Sequence, residues 1–116
     1  MNSRSTPILD HLAALADPTR SRLLLLLDRR ELTVSELCAV VQLPQSTVSR
    51  HLKALADSGW VTARGEGTSN VYTMATPDAE PSARRLWQLV REQVAATAAA
   101  AQDQRRLQSA LAERRT

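Results

Sequence analysis

Apolar residues recur at helical spacing through most of the chain, and the places where that period breaks divide it into elements. After a polar start, Met1 to Pro7, which reads as frayed, Ile8, Leu9, Leu12, Leu15 and Ala16 trace one face over two turns and predict a first helix. Asp17-Pro18 closes it and opens the next. Asp17 is placed to cap free amides, and Pro18 falls at the first helical position, where its missing donor costs nothing. The five leucines 23–27 cover too much of the circumference to face one neighbour, so this second helix, running to about Asp28, is expected to be central. Its start carries Arg20 and Arg22. These are candidates to hold a phosphate beside the helix N-terminus, or else ordinary solvated arginines.

The stretch from Thr33 to Asp57 is the most informative. Thr33 and Glu36 have the spacing of a capping box, so a helix begins there, and Leu37, Val40 and Val41 give it one apolar face. Pro44 cannot continue that helix, which stops near Gln42; a second one starts at about Gln45 with Val48, Leu52 and Leu55 as its buried stripe. Ser46, Arg50, Lys53 and Asp57 then lie on the opposite side, flanked by Thr47 and Ser49. Small hydroxyl residues let a helix approach a groove closely, and arginine can pair with guanine there. A solvated surface helix is the plain alternative. The capped helix and tight turn that precede this face favour a helix-turn-helix.

Ser58-Gly59 breaks the period, and two β-prone runs, Trp60 to Arg64 and Val71 to Met74, surround the turn-forming segment Gly65 to Asn70. A β-hairpin directly after a reading helix is a wing, with Arg64, Thr68, Ser69 and Asn70 as donors to the backbone. Its other role is to cover the core through Trp60 and Tyr72. From Ala79 onward the chain reads as helical, with Leu86, Leu89, Val90, Gln93 and Val94 on a first face, a featureless alanine run, and Leu107 and Leu111 resuming.

Composition narrows the partner. The 116 residues suit one core, with 15 Lys+Arg against 12 Asp+Glu and a net charge of +3, which favours a polyanion; Lys53 is the one lysine. Several arginines sit near the C-terminus rather than on the reading helix, so charge is only a supporting signal. Aromatics make up 3%, too few for a platform on which single-stranded bases stack, so duplex DNA is the better target. One cysteine excludes an internal disulfide, no run is long enough to span a membrane and no signal peptide opens the chain, so a cytoplasmic location is expected. Ser49 and His51 lie two apart on a helix and diverge, and no catalytic constellation points to an enzyme.

The segments Ala14 to Arg20, Glu31 to Leu37, Gln45 to Leu55, Gly59-Trp60-Val61 and Glu66-Gly67 together resemble the ArsR/SmtB family of bacterial winged-helix repressors, over about residues 8 to 75. The resemblance implies a mostly α fold with a small β-hairpin, a winged helix-turn-helix that dimerises through its first and last helices. It also implies a homodimer on an inverted-repeat operator in double-stranded DNA, released by an inducer such as a small molecule. The expected DNA-binding set is Gln45, Ser46, Thr47, Ser49, Arg50, His51 and Lys53 with Arg64, Thr68 and Ser69 from the wing. The expected dimer interface is Leu9, Leu12, Leu86, Leu89 and Val90.

Two departures from the family matter. Metal-sensing members carry two cysteines one residue apart; here the stretch is Glu36-Leu37-Cys38-Ala39-Val40, and residues 79–116, where other members place metal ligands, contain no histidine. Only His11 and His51 could join Cys38, so no metal site and no cofactor is expected, and Cys38 reads as buried and inert. In the wing, members often have two adjacent arginines where this chain has Arg64-Gly65. The expected organisation is a DNA-binding domain over residues 1–78 and, in the same compact unit, a dimerisation helix and tail or linker over 79–116. Gln104 to Arg115 is similar to the linker that joins ArsR-type modules to S-adenosylmethionine-dependent methyltransferases. Three readings follow: a dimeric DNA-binding repressor, the regulatory module of such a fusion, or a winged-helix protein-interaction module without DNA binding.

Overall fold

The computed structural model describes residues 7–75 and 81–115; of the start expected to fray, Met1 to Pro7, all but Pro7 lies outside the described residues, and Pro7 opens the first helix. In chain order these hold α1 (Pro7–Leu15), α2 (Pro18–Leu27), β1 (Leu32–Thr33), α3 (Val34–Val41), α4 (Gln45–Asp57), β2 (Val61–Glu66), β3 (Ser69–Met74), α5 (Pro81–Ala95) and α6 (Ala98–Arg115). The boundaries follow local chemistry. Asp17 accepts from the amides of Thr19 and Arg20 at 2.8 and 3.1 Å, opening α2 behind Pro18. Burial acts to raise the Asp17 pKa, but those two amides and the charges of His51 and Arg20 outweigh it and hold the carboxyl below its usual value.

At α3 both halves of the capping box form: the Glu36 amide donates to Thr33 Oγ1 at 3.1 Å, and the Thr33 amide donates to Glu36 Oε1 at 2.9 Å. Gln42 ends α3 in the left-handed region at φ 61°. Pro44 then sets the entry to α4.

The central helix is α2, as its leucine run requires: Leu23, Leu24, Leu26 and Leu27 are buried among α1, α3, α4, α5 and α6. Leu37, Val40, Val48, Leu52 and Leu55 complete the core beneath the helix-turn-helix, each worth about 1.5–3 kcal/mol over an exposed position. Trp60 is buried where α4 passes into the wing; its Nε1 donates to the His11 carbonyl at 3.2 Å, and its ring lies 6.3 Å from that of Trp87. Trp87 Nε1 in turn donates to Asp28 at the end of α2.

Three expectations need correction. The hairpin is two strands of a three-stranded antiparallel sheet, in the order β1-β3-β2, because Leu32 and Thr33 pair with Tyr72 and Val71. Its arms extend further than the β-prone runs: Glu66 pairs with Ser69, leaving a two-residue turn in which Gly67 takes φ +64°. The helical tail is two helices, because Thr97 caps a new one, accepting at Oγ1 from the Ala100 amide at 3.2 Å.

The second of these, α6, is far from a bare tail. It lies along α3, burying Ala100, Asp103, Leu107 and Leu111 as a stripe. Asp103, 2% exposed, takes a bidentate pair from Arg22 of α2, with both contacts at 2.8 Å. The Asp103 hydrogen bonds raise the Arg22 pKa against the opposing effect of burial. Near the other end Arg114 donates to both oxygens of Glu36, at 2.9 and 2.6 Å, and so fastens α6 to the capping box.

Candidate nucleic-acid interface

The outward face of α4 follows from the burial of the opposite one. With Val48, Leu52 and Leu55 in the core, Gln45, Ser46, Arg50 and Lys53 are exposed, while Thr47 and Ser49 are half-buried at the flanks. Arg50 has no side-chain partner among the described residues and is free to extend. Lys53 makes an i,i+4 pair with Asp57 at 3.1 Å, both ends well exposed, so little holds it there. His51 does not share the outward face. It is half-buried, its Nδ1 lying 3.4 Å from an Arg20 nitrogen, so its ring packs toward the start of α2.

The wing presents Thr68 at its turn, with Ser69 and Asn70 opening β3, all exposed. Arg64 stands on β2, but its guanidinium is engaged: it donates to Glu31 before β1 and to Glu66 on its own strand. Glu31 and then Glu66 raise the Arg64 pKa, and Arg64 in return holds the Glu31 carboxyl below its usual value. A phosphate at Arg64 must displace or share with these carboxylates. The pair with Glu31 joins residues 33 apart in sequence, which no local pattern reveals.

Arg20 and Arg22 are not the exposed phosphate holders that the start of α2 suggested. Arg20 Nε donates to the Ala14 carbonyl at 2.6 Å, and Arg22 is committed to Asp103. Both arginines tie helices together.

The expected dimer residues divide into two groups. Leu9, Leu12 and Leu89 are 60%, 46% and 61% exposed, and Ile8 joins them at 37%, whereas Leu86 and Val90 pack partly against the protein's own core. The exposed ones lie on α1 and α5, and α5 is the penultimate helix rather than the last, which is α6. Cys38 is half-buried rather than fully so, and burial raises its pKa. Among the described residues no three His, Cys, Asp or Glu stand together as a metal site. Nor is any described helix long and apolar enough to cross a membrane.

A capped helix, a tight turn, a second helix with a polar outer face and a paired β-arm define a winged helix-turn-helix. Residues 17–63 match the model of the bacterial regulatory protein arsR family. The transcriptional activator HlyU of Vibrio cholerae is 32% identical over 89 residues, 77% of this chain and 82% of its own length. The chain belongs to the ArsR family. An arsenical resistance operon repressor from Staphylococcus xylosus is 38% identical over 63 residues, 54% of this chain and 61% of its own. The chain spans about half to three fifths of the curated repressors it matches, from 48% to 61% of their lengths. Among solved structures, the homodimeric winged helix-turn-helix domain Mb0332 of Mycobacterium bovis superposes with a TM-score of 0.64 at 32% identity, over 75% of this chain and 77% of that one.

Proposed function

We propose that the protein is a dimeric transcriptional repressor that lays α4 in the major groove of an inverted-repeat operator and rests its wing on the flanking backbone. The observation that carries this reading is the outward face of α4, where Arg50, without a partner among the described residues, stands among the small polar side chains of Ser46, Thr47 and Ser49. Such a face allows close approach, and a long bidentate donor at its middle can reach guanine O6 and N7. Gln45 and Lys53 extend the face along the groove, while Thr68 and Ser69 offer donors to phosphate. His51 acts here by positioning Arg20 and the start of α2 rather than by touching bases.

The dimer is supported by the cluster of exposed apolar side chains on α1 and α5, which a lone protomer leaves in water. One protomer reads only half of a repeat. Two reading helices about 34–36 Å apart enter successive major grooves on one side of the duplex. The releasing signal is a small molecule rather than a metal ion, since Val40 stands where metal-sensing members carry a second cysteine and Cys38 supplies a single thiolate. Footprinting on the DNA upstream of the protein's own gene tests the proposal. It should show two protected half-sites one helical turn apart; a single protected half-site, or none, contradicts it.

A further inference from the structure

A cleft of about 630 Å³ opens where the C-terminal ends of α2 and α5 meet the first turns of α6. We propose that it binds a compact apolar monocarboxylate and passes that binding to the helix-turn-helix through α6, a mechanism that rests on the reading of the protein as a regulator. The volume lies within the range of small-molecule sites, and the lining has their usual division of labour.

Leu25, Leu26, Ala100 and Leu107 line the apolar part. Arg29, Arg30 and Arg91 stand in the same lining against the carboxylates of Asp28 and Glu92, three cations to two anions, which leaves room for one negative charge. Arg91 is already paired with Asp28 at 3.0 Å, but Arg29 and Arg30 have no partners among the described residues. Ala100 and Ala101 bring the first turn of the 18-residue α6, the positive end of its dipole, to the same place. An apolar acid is the ligand these features share.

The route to the motif is continuous. Leu107 lines the cleft and is also part of the core. Four residues before it, Asp103 binds Arg22; one residue before it, Arg106 donates to the Val40 carbonyl of α3 at 3.3 Å; further along, Arg114 holds Glu36. A ligand that wedges between α5 and the start of α6 therefore acts on a helix fastened to α3 at two points. It shifts the DNA affinity only by as much as it prefers one placement of α6 over the other.

The test is NMR titration of the full, isotope-labelled chain with 2-naphthoate and, separately, with neutral 2-naphthamide. Saturable shifts are expected at the amides of Leu25, Arg29 and Gln104, continuing to Leu37 and Val40. The amide should bind at least tenfold more weakly, as should naphthoate to Arg29→Glu/Arg30→Glu. Ala101→Trp, which fills the cleft from an exposed position and spares the arginines, should abolish binding with the spectrum otherwise folded. No saturable shift with naphthoate, or equal affinity for the amide or for the charge-reversed variant, overturns the site. Shifts that stop at the cleft overturn the route. None of these readouts needs DNA, so their failure is distinct from a failure of the DNA-binding reading, which the footprint decides.

Discussion

Arg64 and Glu36 illustrate how single side chains divide between holding this fold and using it. Arg64 is held by two exposed carboxylates, so the phosphate contact assigned to it competes with Glu31 and Glu66. Arg64→Ala should weaken binding to operator and random duplex alike and flatten the salt dependence by about one unit per subunit. Glu31→Gln, by removing a competitor, should strengthen binding to random duplex; titrations at several salt concentrations check both, and weaker binding by Glu31→Gln would mean that the carboxylate positions Arg64 instead.

Glu36 caps α3 and also receives Arg114; chiefly that hydrogen bond, working against burial, lowers its pKa. A carboxylate with a lowered pKa in the folded state adds stability above its unfolded value of about 4.3, and that stability is lost as pH falls through the folded value. Glu36→Gln keeps the cap and loses the charge, so urea unfolding curves should show a shallower acid loss for it than for the wild type. Glu36→Ala should cost about 1 kcal/mol more than Glu36→Gln at neutral pH. The capping box was legible because its members are three residues apart. The Arg114 contact, 78 residues away, was not.

At the scale of elements, α4 was legible because a single period of apolar positions fixes its face, and α2 because leucines around most of its circumference mark a central helix; both features recur in the structure. What the period could not give was the partner of each face. Ala100, Asp103, Leu107 and Leu111 form a regular stripe in α6 with one acid in it, a pattern that calls for a buried counter-charge without naming Arg22. Strand β1 escaped notice because two residues are too short to show a period, and they pair only because β3 is beside them. The Arg22–Asp103 pair carries a clear expectation. Arg22→Ala leaves the buried Asp103 only the longer contact with Arg106 at 3.7 Å and should cost at most about 3–5 kcal/mol, whereas Arg22→Ala/Asp103→Ala should cost less than Arg22→Ala and Asp103→Ala summed. Chemical denaturation followed by circular dichroism measures this, and strict additivity would mean that the two side chains do not act as a pair.

For the whole molecule, the exposed apolar residues of α1 and α5 are the feature most directly tied to assembly. Leu9→Glu/Leu89→Glu places charges at two of the most exposed of them, so the variant should stay folded, run as a monomer in light scattering and lose operator binding. A dimer that survives both charges would place the interface elsewhere. Removing residues 79–116 is a poorer test, since Ala83, Trp87, Leu107 and Leu111 belong to the core and go with them. Sequence reading by α4, with Arg50 as its main reader, is checked by titrating wild type and Arg50→Ala against the footprinted operator and a random duplex of equal length. Arg50→Ala is expected to lower the specificity ratio by a factor that corresponds to about 1–3 kcal/mol, with binding to random duplex changed far less; an unchanged ratio would show that Arg50 is not the main reader.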